Sequence, residues 1–85
     1  MRKVQFALSA IEELIRFKTG NQKLAFKVFE LLEDIQHSPF QGLGKPEALK
    51  GNYTGYWSRR INDEHRLIYR VTEELIIVHS CFGHY

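Results

Sequence analysis

Leu24, Val28, Leu31, Leu32 and Ile35 step at i, i+4, i+7, i+8 and i+11, and Pro39 follows shortly after. That spacing lays one apolar stripe along a single face of an α-helix, and such a face must be buried against another element. The proline after His37-Ser38 ends the helix. Upstream, Ile11, Leu14 and Ile15 repeat the helical spacing. Ser9-Ala10-Ile11-Glu12 has the form of a capping box at the start of that segment, and Gly20 is placed to stop it. A second helix then begins near Asn21. The chain is therefore expected to open with a short strand over 4–7 and to continue into an antiparallel pair of helices joined by a tight turn.

Beyond Pro39 the pattern changes. Gly42, Gly44, Pro46, Gly51 and Gly55 punctuate a long connection, with room for one short strand near Ala48-Leu49-Lys50. Connections of this length in small domains are often functional. Three strands are expected next, over 56–61, 65–71 and 75–81, where aromatic and β-branched residues concentrate. The links Asn62-Asp63-Glu64 and Thr72-Glu73-Glu74 are short enough to require antiparallel neighbours. Alternation along the middle strand sends Leu67, Tyr69 and Val71 to one face, under the helices, and Arg66, Ile68 and Arg70 to the other. This describes one α+β domain over 1–85, with the helix pair on one face of a mainly antiparallel sheet.

The totals narrow the function classes. The chain has 85 residues, 44% hydrophobic and 26% charged, which are values of a folded domain rather than a disordered one. A lone cysteine, Cys81, rules out an internal disulfide framework and suits a reducing compartment. No apolar run of membrane-spanning length follows Met1-Arg2-Lys3, so a soluble, cytoplasmic protein with no membrane partner is expected. The net charge is only +2, but its distribution is uneven. Lys45, Lys50, Arg59, Arg60, Arg66 and Arg70 crowd one stretch that holds only Glu47, Asp63 and Glu64 as acids. A basic surface of this kind suits a polyanion such as RNA; a solvated basic face is the commoner meaning on a small domain.

Three places offer chemistry. Glu47, between Lys45 and Lys50 in the Gly/Pro-rich connection, is either an exposed loop carboxylate or a general base. Arg59, Arg60 and Arg66 lie on adjacent strands, where planar guanidinium groups can jointly hold phosphate oxygens. The chain ends on His84-Tyr85, either a frayed tail or an imidazole and an aromatic ring held beside the last strand. Cleavage of RNA by its own 2′-hydroxyl needs a base, a cation on the phosphorus oxygens and an acid for the departing 5′-oxygen. Glu47, Arg66 and His84 can fill those roles without a metal. Tyr85, Tyr56 or Trp57 can stack on an unpaired base, although Tyr56 and Trp57 are also expected to fill part of the core. His65 is expected to be structural or to orient Arg66. His37, His65, His79 and His84 are scattered, with no zinc-type spacing.

Ser38-Pro39-Phe40, Gly42-Leu43-Gly44-Lys45-Pro46-Glu47, Trp57-Ser58-Arg59-Arg60-Ile61, Glu64-His65-Arg66-Leu67-Ile68-Tyr69 and His84-Tyr85 together resemble the YoeB/Txe family of toxins, in the RelE superfamily of bacterial toxin–antitoxin systems. The resemblance implies a ribosome-dependent endonuclease that cuts messenger RNA in the A site of the 70S ribosome, with no cofactor. It assigns Glu47 as the base, Arg66 as the stabilising cation, His84 as the acid and Tyr85 as a positioning group. With it, Lys45, Lys50, Arg59, Arg60 and Trp57 make up the expected RNA-binding set. It also implies a YefM-like antitoxin and a homodimer as partners. Ala48 replaces a common proline. Gly83 stands where the family carries a bulkier residue, and is expected to loosen the tail. Two rivals share the pattern: a non-catalytic protein that blocks the ribosome, and a gyrase-directed relative with the same fold.

Overall fold

The computed structural model describes residues 1–83. Strand β1 (Lys3–Phe6) runs directly into helix α1 (Leu8–Gly20), which is followed by α2 (Gln22–His37), β2 (Glu47–Ala48), a single 3-10 turn (Gly51–Tyr53), β3 (Trp57–Arg60), β4 (Arg66–Val71) and β5 (Leu75–Ser80). The sheet order is β1-β5-β4-β3-β2, with β1 parallel to β5 and every other pair antiparallel. The helix pair covers one face of this sheet, giving the α+β layering expected from the sequence.

The apolar stripe over 24–35 turns to the core as its spacing requires. Val28, Leu31, Leu32 and Ile35 join Ala10, Phe17 and Ala25 to form the helical side of the core. Leu67, Tyr69, Ile76, Val78 and Cys81 supply the sheet side. The capping box, however, does not form. Helix α1 begins at Leu8, one residue before Ser9, and its cap position is Ala7, which has no side-chain cap. The reason lies in the sheet: the Ala7 N–H donates to the Val78 carbonyl at 2.9 Å, extending the β1–β5 ladder up to the first helical residue. No slack residue remains for Ser9 to act as a cap.

After α2 the chain wraps around one side chain. Arg59 is fully buried, and each of its five N–H groups has an acceptor. Nη1 donates to Asp34 Oδ2 and to the Leu43 carbonyl, Nη2 to the carbonyls of Ser38 and Gln41, and Nε to the Tyr69 hydroxyl. That hydroxyl in turn donates to the Pro39 carbonyl at 2.8 Å. Asp34 also accepts the Leu43 N–H at 3.0 Å. Gly42, at φ 112°, lies so close to this carboxylate that a Cβ would meet Asp34 Oδ2 at 2.2 Å. Segment 38–44 is thus a coat fitted to a guanidinium rather than a free loop.

The charge on Asp34 belongs to this network. The Arg59 hydrogen bond, followed by the Leu43 N–H, holds its carboxyl below the ordinary aspartate value. Because the folded pKa is depressed, the stabilisation is complete above about pH 4 and is lost as the pH falls through the lowered value. Replacing Asp34 by Asn should therefore flatten the acid limb of the stability profile. Removing the guanidinium should do more. We expect Arg59→Ala to cost about 3–5 kcal/mol in urea unfolding, because an acid and three carbonyls lose their donor. Arg60→Ala, one residue along and exposed, should stay within about 0.5 kcal/mol of the parent.

Candidate active site

The face of the sheet away from the helices collects the charged residues, and register decides which. Glu47 lies opposite Ser58, Ser58 opposite Ile68, and Ile68 opposite Ser80. These four form one row across the sheet, because cross-strand partners share a face. Ser58, Ile68 and Ser80 are buried in its floor. Arg60 lies directly opposite Arg66 in the next row. Glu47 is exposed on edge strand β2, about 10 Å from β4 across the intervening β3. Long side chains from β2 and β4 can meet over that strand. Lys45, with φ 52°, and Lys50 flank Glu47 and are both exposed. The short strand falls one residue earlier than expected, so Glu47 is held in a ladder.

Two residues of the expected RNA-binding set belong elsewhere. Arg59 points into the helix layer and is spent on the 38–44 segment, so it offers no donor to RNA. Trp57 lies opposite Tyr69 on the same inner face, half-buried with its ring 4.7 Å from Phe40. Strand alternation forces both results. Adjacent residues cannot share a face, so only one of Arg59 and Arg60 can sit beside Arg66. That signal was present in the sequence, in the parity of Trp57-Ser58-Arg59-Arg60.

The Arg60–Arg66 pair is unusual for another reason. Like charges directly opposite one another in a sheet are destabilising. Among the described residues the ion pairs are Lys27–Glu30 and Arg59–Asp34, and neither involves Arg60 or Arg66. Two guanidinium groups kept in register, with no carboxylate paired to them among the described residues, make a ready anion site. No group of three His, Cys, Asp or Glu among the described residues is arranged to hold a metal ion.

The expected acid His84 and its neighbour Tyr85 lie outside the described residues. The chain leading to them is tightly tied. Gly83 donates its N–H to His65 Nδ1 at 2.9 Å and accepts the Arg66 N–H at 2.8 Å. It sits at φ 76°, a conformation in which glycine is favoured. Gly83 therefore fixes the approach to the terminus beside Arg66, contrary to the loosening expected from its small size.

His65, expected to be structural or to orient Arg66, is structural and ties down the tail. It is buried, with Phe17 and Phe82 rings 5.1 and 4.5 Å away, and the Asn62 carboxamide accepts its backbone N–H. Accepting at Nδ1 requires the neutral ring with its proton on Nε2. Nothing in the sequence beyond its place next to Arg66 pointed to this anchor. Nearby, the Cys81 thiol is pushed up to about 12 by burial, with the Glu13 charge adding to the shift, so it is not a nucleophile. Glu13 Oε1 instead accepts the Cys81 N–H at 2.9 Å, tying the end of the last strand to α1.

Comparison with known proteins finds relatives that match this chain over its whole length. Residues 6–85 match the model of a family described as YoeB-like toxin of bacterial type II toxin–antitoxin system. Toxin YoeB of Mycobacterium bovis is 42% identical over 85 residues, covering all of both chains. The YoeB dimer from Staphylococcus aureus superposes with a TM-score of 0.93 at 44% identity, over 99% of this chain and 98% of that one. A YoeB–YefM complex from the same organism gives 0.91 at 44% identity, over 100% of this chain and 99% of the other.

The tail anchor is testable by amide exchange. His65→Leu removes the acceptor while keeping an apolar side chain, and should speed exchange of the Gly83 and Arg66 amides by roughly tenfold, the size of one lost hydrogen bond. His65→Asn, which keeps an acceptor, should recover part of that protection. Gly83→Ala meets no atom of the described residues within 4 Å, so its cost should be that of the left-handed backbone alone, about 1–2 kcal/mol.

Proposed function

Because this chain belongs to the YoeB-like toxin family of bacterial type II toxin–antitoxin systems, within the RelE superfamily, we propose that it is a ribosome-dependent endonuclease that cuts messenger RNA in the A site and so stops translation. The observation that carries this reading is the Arg60–Arg66 pair, in register on one sheet face and without a carboxylate partner among the described residues, with Glu47 one strand beyond it.

The chemistry follows from those positions. Glu47 takes the proton from the ribose 2′-hydroxyl, whose oxygen then forms a bond to phosphorus. Negative charge builds on the phosphoryl oxygens, and Arg66 stabilises it with Arg60 alongside. The bond from phosphorus to the 5′-oxygen breaks, and His84 supplies the proton that oxygen needs to leave. The upstream fragment ends in a cyclic phosphate and the downstream one in a hydroxyl. Tyr85 orients the strand, and Lys45 and Lys50 hold flanking phosphates. No cofactor or metal ion is assigned a role. Glu47, Arg60 and Arg66 share one sheet face, and the ribosome presents the message in the geometry that the attack needs.

The partners we propose are a YefM-like antitoxin and a second copy of the chain. The Staphylococcus aureus relatives are described as a YoeB dimer and a YoeB–YefM complex. On this chain Ile11, Ile15, Phe26 and Phe29 are large, apolar and exposed on the outer side of the helix pair, where they line a groove. A contiguous apolar surface of this kind marks a protein interface. Among the described residues no helix is long and apolar enough to cross a membrane, so a membrane is not proposed as a partner.

The test is cleavage of A-site message on programmed ribosomes. Glu47→Ala and His84→Ala should each slow cutting by about 10²–10⁴-fold, and Arg66→Ala by about 10²–10³-fold. If all three cut like the parent, the site is misassigned. Arrested translation with an uncut message would identify a ribosome blocker, and DNA damage with an uncut message would identify a gyrase-directed toxin.

A further inference from the structure

At the other end of the outer sheet face, four residues from Arg66, lies a second cluster, of aromatic rings and a cation. Arg70 shares the face of Arg66 on β4, roughly 13 Å further along the strand. The pairing of Trp57 with Tyr69 brings Tyr56 across from Arg70, whose guanidinium carbon lies 5.8 Å from the Tyr56 ring centroid. The third member arrives through an irregularity. Ile68 pairs with Ser80, yet Tyr69 pairs with Val78, so β5 carries His79 as an extra residue. A bulge of this kind re-aims a side chain, and such bulges gather beside functional sites. Here it brings the His79 ring to 5.4 Å from Tyr56 and 6.3 Å from Tyr53.

These side chains are not needed to fill the interior. The inner face already holds Trp57, Tyr69, Val78 and the helical residues. Tyr53, Tyr56 and His79 stay half-exposed, and Arg70 is exposed. Tilted aromatic rings with a guanidinium plane, on the solvent side of a sheet and in line with an anion site, are the chemistry that holds single-stranded RNA. The rings stack on bases of any identity, and the cation draws in the backbone.

We propose that Tyr56, His79 and Arg70 form a stacking subsite for one unpaired base of the messenger RNA, a neighbour of the nucleotide whose phosphate is cut. The inference rests on the RNA-cleaving reading above and adds a binding contact to it. The subsite contributes affinity and holds the register of the strand; it does not transfer protons.

Two measurements test it. The first is the affinity of the free protein for a fluorescent single-stranded oligoribonucleotide carrying 2′-O-methyl groups, which cannot be cut. The second is the toxin concentration needed for half-maximal cutting on programmed ribosomes, together with the cut positions. Tyr56→Leu combined with Arg70→Gln should weaken oligonucleotide binding by roughly tenfold, the loss expected for one stacked base. It should also raise the half-maximal concentration far more than it lowers the limiting rate, and spread the cut positions. Tyr56→Phe, which keeps the ring, should recover most of the affinity lost in Tyr56→Leu. Thermal melting of each variant shows that it is folded. Unchanged oligonucleotide affinity in the folded double variant overturns the proposal. So does a loss confined to antitoxin binding, which would assign the surface to a protein partner. If the parent binds the oligonucleotide through these residues but does not cut ribosomal message, the subsite stands and the cleavage reading falls.

Discussion

The structure depends on one buried guanidinium. Arg59 lies between the sheet and the end of α2, and all five of its donors are used. Placing a cation there is costly, and ion pairing with Asp34 alone would not recover that cost. Three main-chain carbonyls and a tyrosine hydroxyl complete the set. Burial also raises the Tyr69 pKa, which keeps that hydroxyl protonated and able to donate to Pro39. A hydrophobic side chain could fill the same space, but it would leave residues 38–44 without partners for their carbonyls. The cation determines the path of this connection, and the path delivers Glu47 to the sheet edge.

The functional half of the molecule follows from parity around that residue. With Arg59 turned inward, Ser58 and Arg60 must face outward. Arg60 then meets Arg66, and the ladder from Gly44 to Arg60 holds β2 and β3 in step. A buried structural arginine and an exposed one are neighbours in sequence and serve opposite sides of the same sheet. The carboxyl-terminal tail is governed by a second polar anchor. His65 and the Arg66 amide hold Gly83 from both sides, while Phe82 stacks on Phe17 under the Arg16 guanidinium. Adjacent residues, His65 and Arg66, therefore fix the position of Gly83.

Much of this was legible in the sequence. The apolar stripe over 24–35 and the short polar links between strands sufficed for the layers and for an antiparallel order. The alternation of Leu67, Tyr69 and Val71 with Arg66, Ile68 and Arg70 correctly divided β4 between core and outer face. What remained hidden were features set by contacts distant in sequence. The capping box at Ser9 failed because β5 pairs with the chain up to Ala7. Arg59 looked like a surface residue because its partners, Asp34 and the 38–44 carbonyls, come together only in three dimensions. Gly83 looked like a source of slack because its two hydrogen bonds come from His65 and Arg66. Trp57 could have been placed by the same alternation that placed Leu67, had it been applied to β3.

The central claim is that Glu47, Arg66 and His84 direct a ribose 2′-hydroxyl at the adjacent phosphorus. The chemistry of the new RNA ends tests it most directly. Message cut on programmed ribosomes should carry a 2′,3′-cyclic phosphate on the upstream fragment and a 5′-hydroxyl on the downstream fragment, at a position within the A-site codon. A 5′-phosphate on the downstream fragment would show that water or another nucleophile, not the 2′-hydroxyl, attacks the phosphorus, and would contradict the account.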